Sequence, residues 1–370
     1  MKSQGVLRAL PFVAISGVVL ADLLVGPTLV FLPLLTLGPA FASVSGGIRR
    51  TAAVGVLSLV VYVPLAAYDQ LLGRPQNTLT MASIVGVTGA SMLASVLRIG
   101  RERKLATVRL VAEAAQRVLL RPVPRRAGDL TVALSYTSAA AEAQIGGDLY
   151  EVVVTPEGVR LLIGDVQGKG LEAVETAAWV LGAFREAAYD QAELLGVAER
   201  LETSLARHLS GEKFVTAILA EVHDEEIWLL NCGHPAPLVL GGDGGVHLAE
   251  PPEEAAPLGL AELGSPRPKP YGVPFGDGDQ ILFYTDGVIE ARDRSGVFYP
   301  LEERVRLLRA PDPQAALDEL RADLLRHVGG PVPDDAAMLL LRRAETHRRP
   351  ADPVVGADEM GREDATTGRS

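Results

Sequence analysis

Among the aspartates of this 370-residue chain that stand beside glycines or at the edge of an apolar run, five could do chemistry together. Asp148 lies in Ile145-Gly146-Gly147-Asp148-Leu149-Tyr150, and Asp165 in Ile163-Gly164-Asp165-Val166-Gln167-Gly168-Lys169-Gly170. Asp286 follows the apolar stretch Leu282-Phe283-Tyr284-Thr285, and Asp334 and Asp335 open Ala336-Ala337-Met338-Leu339-Leu340. Hard divalent cations such as Mg²⁺ and Mn²⁺ take oxygen ligands and keep several waters. Aspartates converging from separate strand ends therefore describe a two-metal site. There a bridging water loses its proton readily and attacks phosphorus while the ions neutralise the developing charge. Neighbouring glycines would let backbone and solvent come close to the ions. A lone Asp-Gly is more often a turn, as Gly276-Asp277-Gly278-Asp279 reads, but chance does not explain the whole set.

Those residues need strand ends to hold them. Strand-like runs fall at 130–136, 149–155, 159–165, 215–222, 226–231, 237–240, 280–284 and 336–341. Helices are predicted at 171–189 and 191–209, with Trp179, Val180, Ala183 and Phe184, then Leu194, Val197, Leu201 and Leu205, at helical spacing. Two more are predicted at 301–309 and 313–328, where Pro313 suits a first turn. This order implies an α+β body of two stacked antiparallel sheets flanked by helices. Residues 344–370 lose the apolar pattern and read as a disordered tail.

The first hundred residues have another character. Apolar stretches at 9–25, 27–44, 52–72 and 78–97 are each about long enough to cross a hydrocarbon layer of ~30 Å. Asp22 is the acidic residue of the first, tolerable near the end of a span. Lys2, Arg8, Arg49, Arg50, Arg98, Arg101, Arg103 and Lys104 fall on one side of a four-span arrangement, and Arg74 on the other. By the positive-inside rule the N-terminus and the body are cytoplasmic. The predicted organisation is a membrane region at 1–98, a linker helix at 99–124, a catalytic domain at 125–343 and the tail. Leu105, Val108, Ala112, Ala115 and Leu119 give the linker a short a/d seam, read either as a dimer stalk or as one helix docked on the next domain.

Charge excludes some functions. Up to Lys104 there are nine Lys/Arg against three Asp/Glu, and beyond it 26 against 43. An acidic body repels a nucleic-acid backbone, so no nucleic-acid partner is expected. The single Cys232 rules out an internal disulfide or a multi-cysteine zinc site. Cys232 reads as a small buried residue and His234 as turn packing, while Lys169 reads equally as a phosphate contact or a solvated lysine.

In combination, Gly-Gly-Asp-Leu-Tyr, Gly-Asp-Val-Gln-Gly-Lys-Gly, Asn231-Cys232-Gly233-His234-Pro235, Tyr-Thr-Asp-Gly-Val-Ile-Glu-Ala and Asp-Asp-Ala-Ala resemble the ordered motifs of SpoIIE/RsbU-type serine/threonine phosphatases. These are members of the metal-dependent, type 2C protein phosphatase superfamily. The resemblance covers about 115–342, including the lead-in from Gln116 to Pro124. It implies a two-sheet sandwich with two Mn²⁺ or Mg²⁺ ions at one edge. Asp148, Asp165, Asp286 and Asp334 are then the metal-binding carboxylates, with the Val166 carbonyl beside them. Asp334 and Asp335 both remain candidates for the last direct ligand, and turnover depends on Asp148, Asp165 and Asp286. The helices after Gly170 match a regulatory pair that responds to sensor domains and dimerisation. The implied substrate is a phosphorylated anti-anti-sigma (STAS-domain) protein, and a homodimer through the linker and regulatory helices is expected. Gln167 stands where a small residue is usual and Ala337 where Thr is common, which keeps a partner-binding pseudophosphatase as an alternative. Gly-Gly-Asp also opens the turn of diguanylate cyclases, but Leu149-Tyr150 replaces their Glu-Phe and the other aspartates would be unexplained.

Overall fold

Strand alternation in the C-terminal unit buries both faces, which explains its nearly unbroken apolar runs. The computed structural model describes residues 2–25, 31–71, 74–138, 146–208, 213–260 and 266–344. The expected tail therefore lies outside the described residues, apart from Ala344. The chain divides into two compact units, Met1–Val111 and Ala112–Ser370.

The second unit holds two antiparallel sheets. One contains β1 (Arg126–Ala127), β2 (Leu130–Thr137), β7 (Leu238–Leu240), β8 (Val246–Leu248), β10 (Gln280–Tyr284) and β11 (Ala336–Arg343), in the order β1-β2-β11-β10-β7-β8. The other contains β3 (Leu149–Thr155), β4 (Gly158–Val166), β5 (Val215–Val222), β6 (Glu226–Cys232) and β9 (Tyr271–Pro274), in the order β3-β4-β5-β6-β9. With side chains alternating at period two, Ile281, Phe283, Leu339 and Leu341 face Leu161, Ile163, Ile218 and Leu229 between the sheets. Met338, Leu340 and Leu282 turn the other way, toward Leu317, Leu320 and Leu324 of α8 (Pro313–Val328). Leu162, Leu219 and Leu230 pack on α5 (Leu171–Asp190) and α6 (Leu194–His208). The result is the predicted sandwich with helices outside each sheet. Short β1, β8 and β9 were not legible in the sequence, and 301–309 forms a 3₁₀ segment.

In the first unit α1 (Lys2–Val25) and α3 (Ile48–Tyr68), and α4 (Pro75–Leu119), which begins there, are long and apolar enough to cross a membrane. The second predicted stretch is shorter, a 3₁₀ turn at Leu32–Thr36 running into α2 (Leu37–Ser45). At one end of this bundle Ser45 Oγ donates to Leu7 O at 3.1 Å, Arg50 donates to Arg8 O, and Arg98 donates to Gly46 O at 2.8 Å. At the other, Tyr62 donates to Asn77 Oδ1 at 2.7 Å. Asp22, expected near a span's end, is wholly buried in the bundle, as is most of Asp69.

The fourth apolar stretch and the linker are one continuous helix, α4, because nothing between Pro75 and Leu119 breaks it. Ala112, Ala115 and Leu119 of the expected seam pack beside Val174 of α5. Leu105 and Val108 remain exposed. The last two turns of α4 are therefore docked.

Candidate active site

Register brings the aspartates together. Leu149 pairs with Gly164 across β3 and β4, and the Val166 N–H donates to Gly147 O at 3.2 Å, so Asp148 and Asp165 stand opposite one another. In the other sheet Tyr284 pairs with Met338 and Tyr136 with Ala337, which gathers the ends of β10, β11 and β2. Asp286 opens the short α7 (Asp286–Ile289), immediately after Thr285.

Glycines permit the crossing of these ends. A Cβ at Gly147 would lie 2.4 Å from Val166 O, one at Gly146 2.8 Å from Asp335 Cγ, and one at Gly287 1.8 Å from Asp335 O. What comes close to Gly146 and Gly287 is Asp335, a more specific reason for glycine than room for ions.

Asp148 is 3% exposed and accepts the Thr285 hydroxyl at Oδ2, 2.9 Å away. Burial first, then the fields of Asp165, Asp335 and Asp286, hold its carboxyl well above the ordinary range, against the Thr285 bond. Burial pushes Asp165 up to about 7, helped by Asp286, Asp334 and Asp335 and opposed by Lys169. Asp286 is raised by burial, Glu290 and Asp334, with the Gly287 N–H and Lys169 acting the other way. Asp334 is half-exposed and takes Lys169 Nζ at 2.8 Å on both oxygens, so Lys169 is neither a free phosphate contact nor merely solvated. Asp335 is buried; its Oδ2 accepts from the Tyr136 hydroxyl and from the Gly146 N–H at 3.2 Å. Burial and Asp335 push the Tyr136 phenol up, so it stays a donor.

All of the candidate donors, Val166 O included, are oxygens. Asp148 has one hydroxyl donor for a buried charge, and among the cationic side chains Lys169 acts on Asp165 and Asp286. Such a set fits hard divalent cations, which would supply the positive charge the carboxylates lack. Among the described residues, no three Asp, Glu, His or Cys side chains already surround one point closely enough to hold an ion.

A cleft of about 610 Å³ reaches Asp286 and Glu290, with His234 and Thr216 in its wall and Glu250 and Glu254 lining it as well. His234 pins that wall: its Nδ1 lies 3.0 Å from Thr216 Oγ1 and its Nε2 3.1 Å from Tyr284 O. Burial pushes the imidazole down to about 4, which fits the packing role and not that of a general acid at neutral pH. Cys232 is wholly buried, and Ala337 lies in the core between the sheets. Gln167 is exposed on the loop before α5.

Residues 155–344, just over half of the chain, match the family model of stage II sporulation protein E (SpoIIE). This chain belongs to the SpoIIE family. The matched stretch holds Asp165, Asp286, Asp334 and Asp335, while Asp148 precedes it. Among solved structures, the RsbU and RsbW domains of Rv1364c from Mycobacterium tuberculosis are 26% identical with a TM-score of 0.50, over 59% of this chain and 62% of that one. The PP2C phosphatase domain of SpoIIE from Bacillus subtilis, with a fragment of its regulatory domain, is 16% identical with a TM-score of 0.50, over 59% and 64%. The SiaA-PP2C domain of Pseudomonas aeruginosa is 17% identical with a TM-score of 0.55, over 66% and 98%. The chain thus spans under two thirds of the first two structures. The SpoIIE-family sandwich is a PP2C-type phosphatase fold, so the Gly146-Gly147-Asp148 stretch belongs to this fold and not to a nucleotide cyclase.

Thr285, Tyr136 and Gln116 were not singled out by sequence reading, although each touches the cluster or its supports. Their signal was slight: Thr285 stands between a strand and Asp286, and Tyr136 is a polar-tipped aromatic near a strand end.

Proposed function

We propose that this SpoIIE-family chain is a membrane-anchored, metal-dependent phosphatase acting on phosphoserine or phosphothreonine in a protein. The observation that carries the reading is Asp148, buried with one hydroxyl donor in the mutual field of Asp165, Asp286 and Asp335. Buried carboxylates in such a field need a counter-charge. Asp148, Asp165, Val166 O, Asp286 and Asp334 would hold two Mn²⁺ or Mg²⁺ ions, with Asp335 beside Asp334. The chemistry those ions supply when bound is an acidified water and neutralisation of charge on the phosphoryl group. Asp286, at the cleft, joins this cluster to the route by which a phosphorylated side chain enters. Thr285 orients Asp148, and His234 keeps the cleft wall rigid while staying neutral.

The substrate we assign is a phosphorylated anti-anti-sigma protein of the STAS type. The family and the pairing of RsbU with RsbW domains in the Mycobacterium tuberculosis relative support it. We assign the chain to the cell membrane as a multi-pass protein through its membrane region of 1–98, with its N-terminus and the catalytic domain of 125–343 in the cytoplasm. The clustering of Arg8, Arg50 and Arg98 at one end of the bundle supports that orientation. Exposed Leu105, Val108 and Leu110 of α4 offer a surface for the expected homodimer.

The test is hydrolysis of a phosphoserine peptide by the full chain in detergent micelles with Mn²⁺, with and without chelator, beside Asp286→Asn. Turnover should require the metal and vanish in the variant. Turnover indifferent to chelation would overturn the reading.

A further inference from the structure

Behind the carboxylate cluster, a chain of neutral donors runs from the end of α4 to Asp335. Gln116, in the last turn of α4 and 8% exposed, donates from Nε2 to the Tyr136 hydroxyl at 2.8 Å. The same nitrogen reaches Gly146 O at 3.4 Å. A phenol has one proton to give. Because the Tyr136 oxygen accepts from Gln116, its proton is directed to Asp335 Oδ2, which also receives the Gly146 N–H at 3.2 Å. These contacts join α4, β2, β11 and the loop that carries Asp148 into β3.

We propose that Gln116 and Tyr136 are positioning residues that fix Asp335 and the loop of Gly146 and Asp148, and so set how tightly the cluster takes a divalent cation. The inference rests on the metal-dependent reading above. Its physical content lies in the choice of donors. An arginine or lysine here would satisfy Asp335 and also cancel the negative field that a cation needs. The Tyr136 phenol, itself receiving the Gln116 amide, donates to the buried oxygen without adding charge. The field of Asp335 still reaches Asp148 and Asp165. Gly146 has no room for a Cβ against Asp335 Cγ, so the loop and the carboxylate are held in one register.

Partners in the shell behind metal ligands typically change affinity by about 10–100-fold. The test is calorimetric titration of the full chain in detergent micelles with Mn²⁺, comparing Tyr136→Phe, Gln116→Leu and the double variant. Tyr136→Phe keeps the ring beside Tyr150, 6.3 Å between centroids, so packing is retained. Each single variant should weaken Mn²⁺ binding about tenfold. The loss in the double variant should fall short of the product of the two single losses, because Gln116 reaches Asp335 through the Tyr136 hydroxyl and its 3.4 Å contact with Gly146 O is the part that does not depend on that bond. Should Tyr136→Phe not fold, Gln116→Leu carries the same comparison. Affinities within twofold of the parent, or losses that multiply in the double variant, would overturn the proposal. A parent that binds no Mn²⁺ would instead bring down the metal-dependent reading, and this inference with it.

Discussion

Thr285 donates its hydroxyl to Asp148 Oδ2 at 2.9 Å and accepts the Ala337 N–H at 3.0 Å, tying the ends of β10 and β11 to the loop before β3. Both partners are buried. Thr285→Val keeps the shape but leaves an acceptor and a donor unsatisfied. The expected cost is about 2–3 kcal/mol, or roughly 4–12 °C in melting temperature for a unit of this size. Thr285→Ser should lose little. Differential scanning fluorimetry of the full chain checks this, and a fall below about 2 °C for Thr285→Val would contradict the assigned role.

Nearly unbroken apolar runs made β3, β5 and β10 legible to the residue, with Asp148 and Pro156 bounding β3 and Asp279 preceding β10. The short β8 lacked that pattern: Val246 and His247 are exposed. The four aspartate motifs could be read because Asp beside Gly, or a pair of Asp opening an apolar run, is conspicuous. Tyr136 and Gln116 could not. Their role depends on β2 lying beside β11 and on α4 ending against α5, and long-range pairing leaves no local mark.

Asp165 gives the cluster a pH dependence with a definite sign. Its folded value of about 7 lies above the ordinary 3.8, through burial and then Asp286, Asp334 and Asp335. The folded, metal-free chain therefore keeps a proton that the unfolded chain has lost, and stability falls as pH rises from about 4 to about 7. Bound cation offsets that loss but must displace the proton at low pH. Mn²⁺ should thus raise the melting temperature more at pH 8 than at pH 5.5. Asp165→Asn should stabilise the metal-free chain at pH 8 and abolish most of the Mn²⁺ shift. Equal Mn²⁺ shifts at the two pH values would count against the cluster as the binding site.

Arg160 fastens the pair α5 and α6 to its sheet. It is 1% exposed, donates from Nε to Glu221 at 3.1 Å, and caps Ala188 O, Gln191 O and Ala192 O at 2.9, 2.5 and 2.9 Å. Arg160→Met takes the arginine from buried Glu221, leaving it His223 Nε2 at 3.4 Å, and from three carbonyls, an expected loss of about 3–5 kcal/mol. Adding Glu221→Leu removes the buried charge and should restore part of the loss. A double variant less stable than Arg160→Met would show that Glu221 has other work. The readout is the melting temperature of each variant.

The proposed orientation can be read with cysteines because the native thiol is silent. Cys232 is wholly buried, and burial pushes its thiol up, so little reactive thiolate is available. Arg74 sits in the connection between α3 and α4, while Arg101 lies on α4 beyond the fourth apolar stretch; both are exposed. Four crossings with a cytoplasmic N-terminus put Arg74 outside and Arg101 inside. In intact cells a membrane-impermeant maleimide should therefore label Arg74→Cys and spare Arg101→Cys, which should react after lysis. The unchanged chain should take up no label in either condition. Labelling of Arg101→Cys in intact cells would reverse the orientation, and labelling of both positions before lysis would remove the membrane boundary between them.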